Sequence, residues 1–171
     1  FDQADKIGGQ LNMAKQVPGK EEFWGLVDWF ETMIAETGVK TQLGQRVSAG
    51  DLTGFDAVVV ATGVTPRDPE IPGQDSDKVC GYIDILQGRV TAGDNVVVIG
   101  AGGIGFDVSE FLVHSNAATP ETPDLTHWLK EWGVGDPEEI RGGLLAEGPQ
   151  PAAPARNVTL LQRKAERPGK R

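Results

Sequence analysis

The sequence is poor in cysteine, histidine and long apolar runs. It contains one cysteine, Cys80, and two histidines among 171 residues. A single thiol excludes an internal disulfide, a Cys-x-x-Cys redox pair and a cysteine-built metal site, and it fits a reducing cytosol. No apolar run approaches the ~18 residues that a membrane span needs. These absences predict a cytoplasmic globular protein in which Cys80 is a buried structural thiol. His114 and His127 have no accompanying ligand pattern, so they are expected at the surface or in packing roles.

Positive charge is also scarce. The chain has 16 basic and 25 acidic residues and a formal net charge of −9, which makes nucleic acid and anionic membranes poor partners. Residues 156–171 are the exception, with six basic residues and one acidic residue. The N-terminus has neither an initiator methionine nor a signal-peptide pattern, and we expect the chain to be the inside of a longer one.

What the sequence does contain is a glycine-rich turn between a strand pattern and a helix pattern. The apolar run Val96–Ile99 leads into Gly100-Ala101-Gly102-Gly103-Ile104-Gly105, and apolar residues then recur at helical spacing. In a dinucleotide-binding unit the first glycine makes the turn, the second lets backbone approach a pyrophosphate, and the last lets the helix pack on the strand. The pattern therefore predicts an α/β, Rossmann-like fold with a nucleotide at the helix N-terminus.

The remaining pattern predicts further helices and strands around this unit. Periodic apolar residues predict a helix over 21–36, and Trp24, Trp29 and Met33 lie off its main apolar stripe, so we expect burial on more than one side. The run 55–61, FDAVVVA, is typical of a parallel strand buried on both faces. The other predicted elements are short strands over 39–43 and 157–161, helices over 82–86 and 125–132, the helix after the glycine turn to about 113, and an extended proline-rich segment over 63–73.

These elements fit two incomplete dinucleotide-binding domains. We expect a partial FAD-binding domain over 1–73, a crossover over 74–92, and a partial NADP(H)-binding domain over 93–171. An insertion at about 114–156 interrupts the second domain, because a compact crossover between strands needs far less chain. Residues 119–123 should form a turn-rich part of this insertion, and its two tryptophans favour an ordered segment.

Two places in the sequence suggest how nucleotides are recognised. Asp2 is either the acid that binds a ribose or a solvated terminal carboxylate. After the predicted strand 157–161, Arg163 and Lys164 stand where an acid would bind the ribose of NAD, and such cations suit the 2′-phosphate of NADP. The alternative is a basic end exposed to solvent, which fits residues 167–171 best.

With these motifs in place, the sequence resembles the bacterial NADPH-dependent 2,4-dienoyl-CoA reductases. The resemblance covers essentially the whole chain and rests on IGGQLNMAKQVPGKEEF, ATGVTPRDPEIPG, VVVIGAGGIGFDVSEFL, the EWG after Leu129-Lys130, and LLQRKAERPGK. These enzymes join an old-yellow-enzyme-like barrel to a reductase module, as trimethylamine dehydrogenase also does. The EWG insert distinguishes this group from ordinary disulfide reductases.

The resemblance implies a flavoenzyme in which NADPH reduces FAD and electrons pass through a 4Fe–4S cluster to FMN. FMN, the cluster and the dienoyl-CoA substrate of fatty acid β-oxidation would be held by parts of the enzyme outside this sequence. The implied contacts of this chain are with FAD and NADP(H). For FAD they are Asp2, Gly9, Gln10, Val47, Ala61, Thr62 and Gly63. For NADP(H) they are Gly100, Gly102, Gly103, Gly105, Arg163 and Lys164.

No catalytic acid or base and no metal ligand is assigned, since hydride transfer between stacked rings depends on positioning. Two alternatives stay open. One is a related flavin oxidoreductase acting on enones, amines or another acceptor. The other is a nucleotide-binding fragment that is catalytically incomplete by itself. An electron-transfer domain with a purely structural nucleotide is disfavoured by the intact glycine loop and the Arg163-Lys164 pair.

Overall fold

A computed structural model describes residues 1–114 and 124–168 of the chain. The elements in chain order are α1 (Leu11–Ala14), α2 (Glu22–Glu36), α3 (Tyr82–Leu86), β1 (Asn95–Ile99), α4 (Gly103–Val113), α5 (Leu125–Trp132) and β2 (Asn157–Leu161). Short 3₁₀ turns cover Ala49–Leu52 and Arg141–Gly143. The prediction for residues 119–123 lies outside the described residues, as do the last three positions of the basic end.

The fold is centred on a parallel pair of strands. β1 pairs with β2 from Asn95 opposite Asn157 to Ile99 opposite Leu161, and the N–H of Gly100 donates to the carbonyl of Leu161 at 2.9 Å. Both strands alternate between exposed and half-buried residues. A parallel pair joined through a helix is the unit expected of an α/β nucleotide-binding fold, and the predicted fold class is confirmed.

The core lies on the helical side of this sheet. Val108 and Leu112, one turn apart on α4, pack with Ile85 and Leu86 of α3 and with Val17 from the loop after α1. Leu112 is 2% exposed and Val17 is also 2% exposed. Residue 17 belongs to the predicted FAD-binding part, so the core joins that part to the predicted NADP(H)-binding part.

Arg156 closes the end of the sheet opposite the glycine turn. Its Nη1 donates to the carbonyl of Leu112 at 3.2 Å and its Nε donates to the carbonyl of Ala92 at 3.4 Å. The carbonyls in the last turn of a helix have no partner inside the helix. Arg156 therefore ties the end of α4 to the segments that enter β1 and β2.

The structure corrects the prediction that α2 is buried on more than one side. Val27 is the only fully buried residue of α2, while Trp29 and Phe30 are 53% and 43% exposed. The two rings pack edge to face at 4.9 Å. The two rings contact each other and stay exposed, rather than being buried beneath another element.

The predicted strands over 39–43 and 55–61 are wrong for this structure. Neither segment pairs in a ladder with any part of the chain that the structure describes, and Val59 and Val60 are 90% and 80% exposed. A β-branched run favours extended backbone, but a strand also needs neighbours that bond its N–H and C=O groups. The described residues supply no such neighbours to Val59 and Val60.

The insertion contains a folded unit of its own. Asp124 caps α5 by accepting from the N–H of Thr126 at 3.1 Å, and Gly133 ends the helix in the left-handed conformation. Val134 and Leu144 then form an antiparallel bridge. The tryptophan-containing helix is thus present where the pattern predicted it.

The prediction that Cys80 is buried is also wrong, because the thiol is exposed in an irregular segment before α3. His114 and His127 lie at the surface. None of the helices in the described ranges is long and apolar enough to cross a membrane.

Candidate dinucleotide-binding site

The glycine turn joins β1 to α4 in the predicted order. Gly100 has a φ of 117°, a conformation that side chains with a Cβ rarely adopt. A Cβ on Gly105 would lie 1.7 Å from the carbonyl oxygen of Gly100, so only glycine lets the first turn of α4 pack against the end of β1. Glycine is required at these two positions for different reasons, the first conformational and the second steric.

Gly102 and Gly103 differ from those two glycines because they face open space. Apart from the adjoining residues and the backbone of α4, no atom of the described residues lies within 4 Å of a Cβ built on either residue. Gly102 is the N-cap of α4 and makes no side-chain cap, and the first turn of the helix contains no acidic residue. Within residues 1–114 and 124–168, the N–H groups of residues 103–105 donate no hydrogen bond, so they can bind an anion, which the helix dipole favours. The loop fits a pyrophosphate.

The end of β2 lies at the same edge of the sheet. Because the strands are parallel and Ile99 is opposite Leu161, the residues after Leu161 emerge beside Gly100. Arg163 and Lys164 are exposed there, and neither forms an ion pair with any residue in 1–114 or 124–168. Gln162 Nε2 donates to the carbonyl of Glu166, across a run of bends after the strand.

The predicted FAD-contacting residues at the N-terminus form a tight local structure. The N–H of Asp2 donates to the carbonyl of Gln42 at 3.0 Å, and the N–H of Gln45 donates to the carbonyl of Asp2 at 2.9 Å. Asp2 Oδ1 accepts from the N–H of Ala4 at 2.9 Å, and the rings of Phe1 and Phe55 are 6.2 Å apart. The structure thus brings together residues from three segments of the predicted FAD-binding part.

The loop before α1 has a defined conformation, with two left-handed glycines and a closing hydrogen bond. Gly8 and Gly9 have φ values of 104° and 48°, and a Cβ on Gly8 would lie 2.7 Å from Asn12 Nδ2. Asn12 Nδ2 donates to the carbonyl of Ile7 at 2.7 Å and so closes the loop. Gly9 and Gln10 remain exposed. Asn12 was not predicted from the sequence, and its amide reaches back five positions to Ile7.

The other predicted FAD contacts are not gathered with these. Ala61, Thr62 and Gly63 lie in an exposed, irregular segment, and none of them forms a hydrogen bond within the described parts of the chain. Val47 is half-buried just before the Ala49–Leu52 turn. The structure therefore shows one continuous glycine turn between β1 and α4, whereas the residues predicted to contact FAD lie in separate places.

A cavity of about 360 Å³ lies beside the N-terminal segment. Its apolar wall includes Ile34 of α2 and Val39, and Asp5, Lys6 and Glu31 line it with charge. The sequence predicted no cavity here, because the cavity depends on how the end of α2 meets residues 5–7. Over the described ranges, no three His, Cys, Asp or Glu side chains are grouped where they could hold a metal ion.

Comparison with known proteins decides the family. The sequence profile of the pyridine nucleotide-disulphide oxidoreductases matches residues 13–164. The chain belongs to this family. Membership implies FAD and NAD(P)H as cofactors of a Rossmann-like module. The glycine turn lies inside the matched range.

Relatives within the family carry several different names. The chain is 30% identical over 128 residues to a metal reductase of Desulforamulus reducens, and the match covers 71% of this chain and 19% of that protein. It is 30% identical over 123 residues to an NADH oxidase of Thermoanaerobacter brockii, covering 68% and 19%. A cinnamate reductase of Clostridium sporogenes is 34% identical over 113 residues, covering 62% and 16%.

A solved structure supports the fold assignment. The 2-naphthoyl-CoA reductase complex superposes with a TM-score of 0.61 at 22% identity, over 93% of this chain and 28% of that one. The chain spans about a fifth of the length of the oxidoreductase relatives above. Family membership therefore describes the nucleotide-binding module and leaves the substrate to be inferred.

Proposed function

We propose that this chain is the NADPH- and FAD-binding reductase portion of a flavoenzyme of the 2,4-dienoyl-CoA reductase type. The observation that carries the proposal is the open glycine loop at the end of β1 with Arg163 and Lys164 at the end of the adjacent β2, in a member of a pyridine-nucleotide oxidoreductase family. Bound NADPH supplies a hydride and bound FAD accepts it.

In the proposed pyridine-nucleotide site, the residues of this chain bind NADPH and orient it. The free N–H groups at the start of α4 hold the pyrophosphate, and Gly102 and Gly103 leave room for it. Arg163 and Lys164 bind the 2′-phosphate, since neither cation is paired with a carboxylate in the described residues. No acid or base of this chain is needed, because hydride transfer depends on how the two rings are placed.

On the flavin side, the proposed contacts are those implied by the resemblance. Asp2 holds the ribose, and Gly9 and Gln10 lie near the flavin or its pyrophosphate. The remaining proposed contacts with FAD are Val47, Ala61, Thr62 and Gly63. In the proposed enzyme the 4Fe–4S cluster, FMN and the dienoyl-CoA site belong to residues outside this chain.

A related oxidoreductase with another electron acceptor is the second candidate. The relatives are named as a metal reductase, an NADH oxidase and a cinnamate reductase, so modules of this kind serve proteins with different names and different acceptors. The dienoyl-CoA assignment rests on the motifs of the resemblance, including the EWG at the end of α5.

The nucleotide preference is the most direct test. NADPH and NADH are titrated against the protein and against Arg163→Ala and Lys164→Ala, with nucleotide binding followed by protein fluorescence. Loss of one charge-assisted bond is worth about 1.5–3 kcal/mol, or roughly 10- to 150-fold in Kd. We expect that loss for NADPH and no change for NADH.

Arg167→Ala is the matched control, because it removes the same charge from an exposed position farther from β2. It should leave the NADPH affinity within about twofold, the difference expected when no contact is lost. Equal affinities of the parent protein for NADPH and NADH would contradict the 2′-phosphate assignment, and failure to bind either would contradict the proposed function.

A further inference from the structure

We propose that Lys20 and Asp107 form a positioning pair that sets the flavin-side loop against the helix that carries the pyridine nucleotide. This inference rests on the proposed function. Lys20 Nζ lies 2.6 Å from Asp107 Oδ2, and the two residues are 87 positions apart in the chain. Lys20 follows the segment of Gly9 and Gln10, and Asp107 lies one turn into α4.

The pair lies at the edge of the core that joins the two parts of the protein. Val17, three residues before Lys20, is 2% exposed, and Val108, next to Asp107, is 4% exposed. Both belong to one buried cluster. Apolar packing holds the two segments together but is not directional, whereas an ion pair with a hydrogen bond restricts how they are oriented.

The connection from Lys20 back to the flavin-side loop is short and ordered. α1 and the turns after it are closed by backbone bonds from Leu11 to Lys20. Lys15 packs its ammonium 3.9 Å from the centre of the Trp24 ring, and Trp24 Nε1 donates to the carbonyl of Lys15 at 2.9 Å. A displacement at Lys20 is therefore passed to Gly9 and Gln10 through a folded segment.

The connection from Asp107 to the pyridine-nucleotide loop is a single helical turn. Asp107 is four residues after Gly103, the first residue of α4. The first turn of α4 has no side-chain cap. The start of the helix is instead held by the packing of Gly105 against the carbonyl of Gly100 at the end of β1 and, one turn later, by the bond between Asp107 and Lys20. The ion pair thus fixes the direction in which the anion-binding end of α4 faces.

The exposure of the Lys20 and Asp107 side chains favours a positioning role over a role in stability. The side chains of Lys20 and Asp107 are 33% and 38% exposed, and ion pairs this accessible to water contribute little to stability. We therefore expect Lys20→Met and Asp107→Asn to remain folded and to differ from the parent in geometry. A misplacement of about an ångström can slow a positioned reaction by as much as about 100-fold.

The experiment uses the flavin-loaded natural protein that carries this sequence. Reduction of the flavin is followed by stopped-flow absorbance at saturating NADPH, and the Kd for NADPH is measured separately. Lys20→Met and Asp107→Asn should each slow flavin reduction about tenfold, while the Kd for NADPH changes less than about threefold. The double variant should be no slower than either single variant, because both changes break one interaction. Lys20→Arg, which keeps the charge, should restore most of the rate.

A readout without cofactor accompanies the kinetics. Hydrogen exchange should be faster in both variants over residues 16–20 and 103–108, and unchanged over β2. Asp84→Asn is the matched control, since it breaks the 2.7 Å pair with Arg89, which joins residues only five positions apart. It should leave the rate of flavin reduction unchanged.

The outcomes are distinguishable. A parent protein that does not reduce its flavin with either nucleotide overturns the proposed function and this inference with it. A competent parent whose Lys20 and Asp107 variants keep the parent rate overturns this inference alone. This inference alone is also overturned if the rate losses of the two single variants add in the double variant, or if Asp84→Asn slows flavin reduction as well.

Discussion

At the scale of single residues, one carboxylate has a local role that a titration can test. Asp51 Oδ2 accepts from the N–H and from the hydroxyl of Ser48, both at 2.8 Å. These bonds, the backbone one first, lower the pKa of Asp51 from its ordinary value of 3.8. A lowered folded pKa means that the stabilisation is present above the ordinary value and is lost as the pH falls through the folded pKa.

Ser48→Ala should therefore raise the pKa of Asp51 only part of the way to its ordinary value, because the backbone bond, the larger cause, survives. The measurement is an NMR titration of the Asp51 carboxyl carbon in both proteins. Asp68 is the internal control. Its pKa is lowered by the side chain of Gln74 and the N–H of Glu70, and it should titrate alike in the parent and in Ser48→Ala. An Asp51 titration that is identical in the two proteins would show that the hydroxyl contributes nothing.

At the scale of elements, the β1–turn–α4 unit uses glycine for two separate purposes. Gly105→Ala places a Cβ against the backbone carbonyl of Gly100, which cannot move without moving β1. We expect a loss of about 3 kcal/mol in the free energy of unfolding, as for other overpacked sites. The Cβ of Gly102→Ala meets no described atom beyond its chain neighbours and α4, and φ stays at an ordinary −87°, so stability should change by less than about 1 kcal/mol.

Gly105→Ala and Gly102→Ala should also be distinguished by their affinity for NADPH. Under the proposed function, the Cβ in Gly102→Ala would enter the space proposed for the pyrophosphate, and we expect the Kd for NADPH to rise at least about tenfold with the fold intact. Urea unfolding and nucleotide titration of both variants make the comparison. A Gly102→Ala protein that binds NADPH like the parent would place the pyrophosphate elsewhere.

The elements that the sequence predicted well are those with local signals. The bounds of α3, α5 and β2 are as predicted, because apolar periodicity, the Asp124 cap and the Gly133 stop all act within a few residues. Residues 39–43 and 55–61 carry equally clear strand patterns, yet their state depends on neighbouring strands. Cys80 and Trp29 were wrongly expected to be buried for a similar reason, since burial depends on which segments pack over a residue. The pairing of Lys20 with Asp107 joins positions 87 residues apart, so no local sequence pattern predicts it.

At the scale of the whole molecule, the buried core is small and apolar residues are exposed in several parts of the described chain. The core gathers around α3, α4 and the sheet, whereas the apolar residues of 55–64 are largely exposed, with Val59 at 90% and Val64 at 75%. A strand-type run with free N–H and C=O groups is an edge available for pairing. The relatives are about five times longer than the part that matches this chain, and whether a longer protein pairs this segment can be tested directly.

Hydrogen exchange followed by mass spectrometry tests this division. In the 171-residue chain alone, amides of residues 56–64 should exchange at the rate of an unfolded peptide, because none of them donates a hydrogen bond in the described parts of the chain. Amides of β1 and α4 should be protected, since ladder and helix bonds hold them. In a longer natural protein that supplies neighbouring strands, residues 56–64 should become protected while β1 and α4 change little. Protection of 56–64 in the short chain would show that the segment pairs there, and rapid exchange in the long protein would show that this apolar run is not a strand in either.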